Sequence, residues 1–532
     1  MKIVVCDPVS SRGIALLKQR PEFEVLVLDK RLPETELLPV VADAAALLVR
    51  SETKITRRVL EAATQLRVVG RAGVGVDNVD VEAATERGVV VMNTPGGNTL
   101  STAELTFGML LSLARKVPQA HGTMVAGKWD RKAFQGVELA GKTLGILGVG
   151  RIGGEVAKRA AAFGMRVLAY DPFLPEPRAR TMNVELVSDV DRLYREADFL
   201  TVHMPATDQT RGMLNAAAFA RMKPGVRLVN CARGEIIAEQ DLLAALDSGK
   251  VAAAALDVFT VEPLPADHPF RKHPGITLTP HLGASTAEAQ EKCGIEVAEV
   301  ITNYLLTGEV RNAVNLPHLD AKTYEQVRPY LTLGEKLGRF LGQLAPAQVD
   351  RIYITFGGKA RELPNTDPVT RAILQGFLSR SPMANLNNIN VRSVASTLGM
   401  TVEEKRSDEP VTFNEWLHVQ VFNGEAKVVS AGGTFFGSPD NPRIVRVFSM
   451  PTEIIPCGVV FMMNNQDRPG MVGHVGTLLG RHNVNIASMS LSRDTEGGEA
   501  FTVLNLDSVP PAAVLDELRR DPAISNLHVV TL

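Results

Sequence analysis

Cysteine is scarce in this chain, with four residues in 532, and the four lie far apart in the sequence. Cys6, Cys231, Cys293 and Cys457 form neither a CxxC nor a CxxH spacing, which argues against a zinc site and against a disulfide framework. We therefore expect no bound metal, buried thiols and a reducing compartment.

Long apolar runs and an excess of charge of one sign are also missing. The first ten residues resemble a β-strand rather than a cleavable leader, and no run of about 18 apolar residues follows. The 57 Lys and Arg residues nearly balance the 59 Asp and Glu residues, so the chain has no long-range attraction for nucleic acid or for an anionic membrane. We expect a cytoplasmic protein that binds neither.

Length and apolar content, in contrast, are ample. The chain has 532 residues, of which 45% are hydrophobic, which exceeds a single core and indicates about three or four domains. Strands alternate with helical spacers over residues 1–95 and again from about residue 140 to 280, which predicts two doubly wound α/β lobes. A helix over residues 323–344, with Tyr324, Val327, Leu337 and Phe340 on its apolar face, then opens a mixed α+β region.

The clearest motif lies in residues 142–171. An apolar strand is followed by Gly148-x-Gly150-x-x-Gly153, by a helix and by a second strand that ends at Asp171. The three glycines allow a tight turn, close approach of a pyrophosphate and close packing of helix on strand. Asp171 is placed to accept the ribose hydroxyls of NAD. This context favours a dinucleotide site over an ordinary βαβ turn.

Polar residues follow the predicted strands of the first lobe. Arg50, Arg71 and Asn93 each come at a strand end, where ligands bind in open α/β sheets. Gly73 and Gly75 allow a ligand to approach the backbone closely. Any one of these arginines alone is more typical of a solvated loop, but together they predict an anion-binding edge.

Three residues in the second lobe also follow successive strands. Arg233 offers a planar fork that suits a carboxylate. His281 can take a hydroxyl proton, and Glu262 can orient the ring and stabilise its charged form. Such a set suits hydride transfer at a 2-hydroxy acid, whereas a lone histidine at a strand end is more often structural.

The last part of the chain, from residue 457, has the predicted order β-α-β-β-α-β of a ferredoxin-like domain. Its first turn contains Asp467-Arg468-Pro469-Gly470. Fold alone does not assign a function, so both an effector-binding domain and a dimerisation domain remain open.

The motifs RAGVGVDNVD, GILGVGRIG, NCARGE, ALDVFTVEP and PHLGAST resemble those of the D-2-hydroxyacid dehydrogenase family. The length and the tail resemble its long members, which carry a C-terminal ACT domain. The resemblance implies two Rossmann-like lobes, an α+β intervening domain and a ferredoxin-like ACT domain. It also implies boundaries: a discontinuous substrate lobe (1–95 and 283–312), an NAD-binding domain (96–282), the intervening domain (313–455) and the ACT domain (456–532).

The resemblance also assigns residues to sites. The catalytic set is Arg233, Glu262 and His281, and the substrate residues are Arg50, Arg71, Asn93 and Arg131. Residues expected at NAD are Gly148, Gly150, Arg151, Ile152, Gly153, Asp171, Cys231, Ala232, Arg233, Asp257, His281, Gly283 and Ala284. Asn465, Asp467 and Asn485 occupy the effector positions of the ACT domain. Val74 and Met204 depart from the family, which often has a hydroxyl residue there.

The implied reaction is NAD-dependent oxidation of 3-phospho-D-glycerate to 3-phosphohydroxypyruvate, the first step of L-serine synthesis. The implied assembly is a homo-oligomer, a dimer of dimers, with L-serine as feedback effector. Two alternatives stay open: a glyoxylate or hydroxypyruvate reductase of the same family, and an NAD-sensing corepressor that binds partners without turnover.

Overall fold

The computed structural model describes residues 1–316, 321–380, 386–409, 413 and 415–532. The strands of these residues form four sheets, which follow one another along the sequence. No helix in the described residues is long and apolar enough to cross a membrane.

The first sheet is wholly parallel and has the order β2-β1-β3-β4-β5. Its strands are β1 (Lys2–Val5), β2 (Glu24–Val27), β3 (Ala44–Val49), β4 (Val68–Arg71) and β5 (Val90–Asn93). The helices between them are α1 (Ser11–Lys18), α2 (Glu34–Val41), α3 (Arg57–Ala62) and α4 (Val81–Glu86). Every residue of β3 is buried, as expected for a parallel strand that is covered on both faces.

The second sheet is also parallel, with the order β12-β11-β10-β9-β6-β7-β8. Its strands are β6 (Thr143–Leu147), β7 (Arg166–Tyr170), β8 (Glu185–Leu186), β9 (Phe199–Val202), β10 (Val226–Asn230), β11 (Val251–Leu256) and β12 (Ile276–Leu278). Its helices are α5 (Thr99–Arg115), α6 (Val117–Val125), α7 (Arg151–Ala162), α8 (Glu176–Thr181), α9 (Val190–Glu196), α10 (Ala216–Arg221) and α11 (Glu239–Asp247). The strand order reverses between β6 and β9, and ligands of such sheets bind at this switch point.

Helix α12 (Ala287–Thr307) returns the chain to the first sheet. Val297 and Ile301 lie against Gly70 of β4, where an added Cβ would come within 2.8 and 2.5 Å of their side chains. Gly294 of α12 likewise lies directly against Gly13 of α1. The first lobe is therefore completed by residues from beyond the second lobe.

The third sheet, of order β14-β13-β15-β16-β17-β18, is mixed and carries helices on one face. Its strands are β13 (Arg351–Gly358), β14 (Thr401–Arg406), β15 (Glu415–Asn423), β16 (Ala426–Phe435), β17 (Pro442–Val447) and β18 (Met450–Ile454). The helices are α13 (Ala321–Leu344), α14 (Asp367–Leu378) and α15 (Val391–Thr397). Val327, Leu337 and Phe340 of α13 are buried as predicted, but Tyr324 is 45% exposed. The buried stripe of the helix begins at Val327, one turn after Tyr324.

The fourth sheet is antiparallel, with the order β20-β21-β19-β22. Its elements are β19 (Val459–Gln466), α16 (Met471–Arg481), β20 (Ile486–Arg493), β21 (Glu499–Leu506), α17 (Ala512–Arg520) and β22 (Ile524–Thr531). The predicted ferredoxin-like order is confirmed. Both helices cover one face of the sheet, while Val460, Met462 and Val530 on the other face join the core of the third region.

The third region is attached to the first lobe at two places. Ala313 pairs with Met92, and the backbone N–H of Asn93 donates to the carbonyl of Asn312 (3.2 Å), so the connecting segment extends the edge of β5. Ile389, from the third region, is 4% exposed and belongs to the core of the first lobe.

Cys6, Cys231 and Cys293 are buried, but Cys457 is exposed, against the expectation of buried thiols.

Candidate active site

The glycine loop between β6 and α7 has the geometry that its sequence predicts. Gly148 has φ 91°, and an added Cβ would lie 2.8 Å from the carbonyl oxygen of His203. A Cβ on Gly153 would lie 2.1 Å from the carbonyl oxygen of Gly148, which ties α7 closely to the loop. The Cβ side of Gly150 faces open space. A phosphate group can therefore reach the N-terminus of α7.

Asp171 is fixed directly beside this loop. Its Oδ2 accepts the backbone N–H of Val149 (2.8 Å), and its Oδ1 accepts that of Phe173 (2.9 Å). Arg151 is exposed at the start of α7, whereas Ile152 packs against the core of the lobe. An open glycine loop with a carboxylate beside it fits a dinucleotide with a free ribose.

The neighbouring strand ends place the other expected NAD residues around the same edge. Cys231 follows β10 and is buried, which raises the pKa of its thiol to about 12. Ala232 donates its backbone N–H to Oδ1 of Asn230 (3.0 Å). Ala284 follows Gly283 in the loop after β12. The thiol of Cys231 is therefore neutral, and the side chain packs in the core of the lobe instead of being exposed to a ligand.

Asp257, at the end of β11, is completely buried and holds the loop that follows β12. Its Oδ1 accepts the hydroxyl of Thr279 (2.6 Å) and the N–H of Leu282 (2.7 Å), and its Oδ2 accepts the N–H of Gly283 (2.9 Å). Burial raises the pKa of Asp257 despite these bonds. The structure therefore places Asp257 beneath the loop that carries His281.

His281 and Glu262 form a close pair at this loop. The Nδ1 of His281 lies 2.7 Å from Oε2 of Glu262, while Oε1 of Glu262 accepts the backbone N–H of Phe259 (3.0 Å). The hydrogen bond to Glu262 raises the pKa of His281 against the opposing effect of partial burial. Because a carboxylate only accepts, Nδ1 carries the proton and Nε2 is free to accept another.

Arginines of both lobes meet across the cleft. The guanidinium of Arg71 lies against Gly73, and that of Arg233 against Gly75: an added Cβ would fall 1.6 and 1.8 Å from their nitrogens. Burial, together with the nearby charges of Arg233 and Arg50, lowers the pKa of Arg71 to about 10. Asn93 completes the edge, with Nδ2 donating to the carbonyl of Val74 (2.6 Å).

Arg131 is the one expected substrate residue whose position the structure leaves unsupported. It is exposed on the loop after α6 and lines a separate cavity of about 310 Å³ together with Lys128 and Trp129. No hydrogen bond or ion pair within the described residues fixes its side chain. Among the described residues, no contact joins Arg131 to the arginines at the cleft.

The three expected effector residues are not brought together within one ACT-like domain. Asn465 is 3% exposed, and its Oδ1 accepts the hydroxyl of Thr502 (2.7 Å). Asp467 follows β19 and accepts Arg493 Nη1 (2.8 Å). Asn485 precedes β20 and donates to Asp507 (2.8 Å). The strand register places Asn485 and Asp467 at opposite ends of the sheet.

Three supporting residues were not singled out from the sequence. Asp77 pairs with Arg233 across the cleft, with 3.1 Å from its Oδ2 to Nε. The hydroxyls of Ser101 and Thr102, on α5, donate to the carbonyl of Gly283 (2.8 and 3.0 Å). Asp77 stands within the quoted motif RAGVGVDNVD, where an acid beside two glycines was an available signal. The two hydroxyls carried no signal, because Ser and Thr near helix starts are usually caps.

The arrangement has the groups that a carbonyl–alcohol interconversion requires. A cationic fork, an imidazole whose Nε2 has no carboxylate partner and an open dinucleotide loop lie where two α/β lobes face each other. In the described part of the chain, no cluster of His, Cys, Asp and Glu can hold a metal ion.

Three family models match successive parts of the chain. The NAD binding domain of the D-isomer specific 2-hydroxyacid dehydrogenases matches residues 107–283. The D-3-phosphoglycerate dehydrogenase intervening domain matches residues 326–448, and the ACT domain matches residues 459–523. Together these models follow the order of the second, third and fourth sheets.

Relatives match over the full length. A D-3-phosphoglycerate dehydrogenase of Methanocaldococcus jannaschii is 41% identical over 533 residues and covers 100% of both chains. One of Bacillus subtilis is 39% identical over 534 residues, which cover 100% of this chain and 99% of the relative.

Solved structures match a little over half of the chain. NAD⁺-bound 3-phosphoglycerate dehydrogenase of Entamoeba histolytica is 30% identical, with a TM-score of 0.51, and the match covers 59% of this chain and 99% of that one. A glyoxylate reductase of Paecilomyes thermophila is 29% identical, with a TM-score of 0.54 and coverage of 59% and 98%.

Proposed function

The chain belongs to the D-3-phosphoglycerate dehydrogenase family of NAD-dependent D-isomer specific 2-hydroxyacid dehydrogenases, and we propose that it oxidises 3-phospho-D-glycerate to 3-phosphohydroxypyruvate. This reaction opens L-serine synthesis. The observation that carries the proposal is the meeting of Arg71 and Arg233 at the cleft beside His281, because a ligand with two anionic groups satisfies both arginines.

Arg233 binds the substrate carboxylate in this proposal. Its planar fork suits a bidentate contact with the carboxylate, and in the reverse reaction the guanidinium can polarise the C2 carbonyl. The guanidinium also orients C2 towards the end of the second sheet, where the dinucleotide loop lies. The chemistry that NAD supplies when bound is acceptance of the hydride from C2.

His281 is the proton acceptor. Its Nε2 takes the proton of the C2 hydroxyl, and Nδ1 keeps its hydrogen bond to Glu262 throughout. The negative charge of Glu262 stabilises the imidazolium that forms, so the pair gains interaction energy as the reaction proceeds. Asp257 acts indirectly, because it holds the loop that carries His281.

Arg50, Arg71 and Asn93 hold the phosphate end. Arg71 is largely buried. A hydrogen bond to a charged group contributes about 1.5–3 kcal/mol. Asn93 fixes the glycine loop through Val74. Arg131 is assigned to the substrate only by the family resemblance.

The remaining NAD residues fall into two groups. Gly148, Gly150, Gly153 and the start of α7 receive the pyrophosphate, and Asp171 receives the ribose hydroxyls. Residues that flank the nicotinamide side are Cys231, Ala232, Gly283 and Ala284. The second group shapes the pocket mainly through its backbone.

We also propose a cytoplasmic homo-oligomer, a dimer of dimers, that L-serine inhibits. Met124, Val125 and Trp129, which lie close together around the end of α6, are 53%, 74% and 77% exposed, and a contiguous exposed apolar patch marks an interaction surface. Asp467 can take an ammonium group beside the N-terminus of α16, which can take a carboxylate. Asn485 lies at the other end of the sheet, so it reaches the same effector only from a second subunit.

The test is turnover by the purified full-length protein. NAD reduction is measured with 3-phospho-D-glycerate, D-glycerate and glycolate, and NADH oxidation with the three corresponding carbonyl compounds. The proposal expects the phosphorylated pair to have the highest kcat/KM. Preference for glyoxylate or hydroxypyruvate supports the reductase alternative, and NADH binding without turnover of any substrate supports the corepressor alternative.

A further inference from the structure

An ion pair joins the two lobes across the cleft. Arg233 follows β10 of the second lobe, and Asp77 lies in the loop after β4 of the first lobe. The Nε of Arg233 donates to Oδ2 of Asp77 at 3.1 Å, and Nη2 lies 3.1 Å from the same oxygen. A proposed catalytic side chain is thus held by a residue from the opposite lobe.

The contact occupies one edge of the guanidinium and leaves another open. Asp77 engages the Nε edge, and Nη1 donates one bond to the carbonyl of Ala232 (2.6 Å). A guanidinium has five N–H donors in a rigid plane, so at least one N–H remains on each terminal nitrogen. End-on contact with a carboxylate uses one N–H of each terminal nitrogen. Asp77 therefore does not occupy the fork that the substrate carboxylate needs.

The charge of Asp77 has a second effect. Arg71 and Arg233 lie against Gly73 and Gly75, which are only two residues apart in the same loop. Their two positive charges are therefore close enough to repel each other, and besides burial the charge of Arg233 lowers the pKa of Arg71. The carboxylate of Asp77 attracts both. It therefore offsets the repulsion that the two arginines would otherwise feel before an anionic ligand enters.

We propose that Asp77 is a positioning residue of the oxidation reaction: it holds Arg233 in the empty cleft with its end-on donors ready for the substrate carboxylate. This rests on the proposed function, because it takes the bound group to be the carboxylate of a 2-hydroxy acid. The competing account, in which Asp77 blocks Arg233 until substrate displaces it, predicts the opposite change in KM.

The side chain of Asp77 is 71% exposed, and exposed ion pairs contribute little to stability. Asp77→Ala therefore leaves the fold intact and can be interpreted kinetically. Asp80 supplies the matched control, because it lies in the same loop and caps α4 by accepting the N–H of Ala83 (2.9 Å). Asp80→Ala removes an acid and a structural contact without touching Arg233.

The experiment is a double-mutant cycle on the full-length enzyme with 3-phospho-D-glycerate and NAD. Asp77→Ala should raise KM for the hydroxy acid and lower kcat/KM by about three- to fivefold, the effect of losing an exposed ion pair, with KM for NAD unchanged. Asp77→Asn keeps an acceptor and should lose less. In an Arg233→Ala background, adding Asp77→Ala should change kcat/KM by less than about twofold, since the partner is already absent.

Three outcomes would overturn the proposal. A lower KM in Asp77→Ala would assign a blocking role, full additivity with Arg233→Ala would show that Asp77 does not act through Arg233, and an equal loss in Asp80→Ala would reduce the effect to loop damage. Wild-type turnover separates the two proposals. If the wild type does not turn over 3-phospho-D-glycerate, the proposed function fails. If the wild type is active and the Asp77 variants have the same KM and kcat/KM as the wild type, only the positioning role is refuted.

Discussion

His281 and Glu262 are joined by a 2.7 Å contact between Nδ1 and Oε2, although 19 residues separate them in the sequence. Both stand on loops that follow neighbouring strands, β11 and β12, so the pairing is a consequence of parallel strand order. The second oxygen of Glu262 is held by the backbone of Phe259, which fixes the orientation of the carboxylate. The ring of His281 is consequently presented with Nε2 free.

Replacing the proposed base tests this directly. His281→Ala should lower kcat by about 10²–10⁴-fold, since that is the contribution of a positioned proton acceptor, while NADH binding measured by fluorescence persists. His273→Ala is the control, because His273 is a half-buried residue of the same lobe that pairs with Asp247. An active His281→Ala enzyme would remove His281 from the role of base.

The pH dependence should change when Glu262 loses its charge. Glu262 raises the pKa of His281, and oxidation needs the neutral ring, so kcat/KM should fall as pH drops through that pKa. In Glu262→Gln the pKa of His281 is lower, and the acidic limb of the profile should move to lower pH. The plateau should also fall, because the imidazolium loses its stabilising partner. A limb that stays in place or moves upward would contradict this pairing.

Much of the fold was predictable because local signals and global order agree. The two helices of the last domain, at residues 471–481 and 512–520, occur at the places that the predicted β-α-β-β-α-β order requires, since turn residues precede both. Strand ends in the lobes differ by one or two residues from the prediction: Arg71 and Asn93 are the last residues of β4 and β5 rather than the first after them. Hydrogen-bonding partners, which decide strand ends, are not visible in a single sequence.

Contacts between distant segments were not predictable. Arg233 and Asp77 are 156 residues apart in the sequence, and no periodicity links them. Asn465 was expected to face an effector, but its place in β19 turns the amide inwards to Thr502. The pairing of Ala313 with Met92 likewise depends on how the third region docks on the first lobe. Side-chain direction and domain docking are tertiary properties.

Cofactor choice should depend on Asp171. Its carboxylate repels a 2′-phosphate, and Pro172 and Phe173 offer no cation to receive one, which leaves the exposed Arg178 as the nearby positive charge. We expect NAD to be preferred over NADP, and Asp171→Ala should narrow the ratio of the two kcat/KM values. Since Asp171 also accepts the N–H of Val149, unfolding curves of the variant provide the control. Equal use of both cofactors by the wild type would refute the assignment.

L-Serine should bind the C-terminal domain and inhibit at a distance, with coupling of about 1–3 kcal/mol that permits partial inhibition. Arg493 holds Asp467 in the serine-free structure and lowers the pKa of its carboxyl group, so an entering ammonium group has to share that carboxylate. Asp467→Ala should abolish serine binding in calorimetry and serine inhibition in kinetics.

Asp516→Ala, on exposed α17 of the same domain, should leave both serine responses intact. Full-length variants are preferable to truncation near residue 312, because removing the third region would uncover the edge of β5 and the core position of Ile389. If serine binds neither the wild type nor the control, the domain serves assembly and the feedback proposal is wrong.

We propose that the arginines of the first lobe select a phosphorylated 2-hydroxy acid, and a ratio of two kcat/KM values measures this selection. It is kcat/KM for 3-phospho-D-glycerate divided by kcat/KM for D-glycerate, measured in the wild type, in Arg71→Ala and in Arg20→Ala, a control at an exposed position of the same lobe. We predict a wild-type ratio far above one and a fall of about 10- to 150-fold in Arg71→Ala alone. A wild-type ratio near one, or an equal loss for both substrates in Arg71→Ala, would contradict the claim.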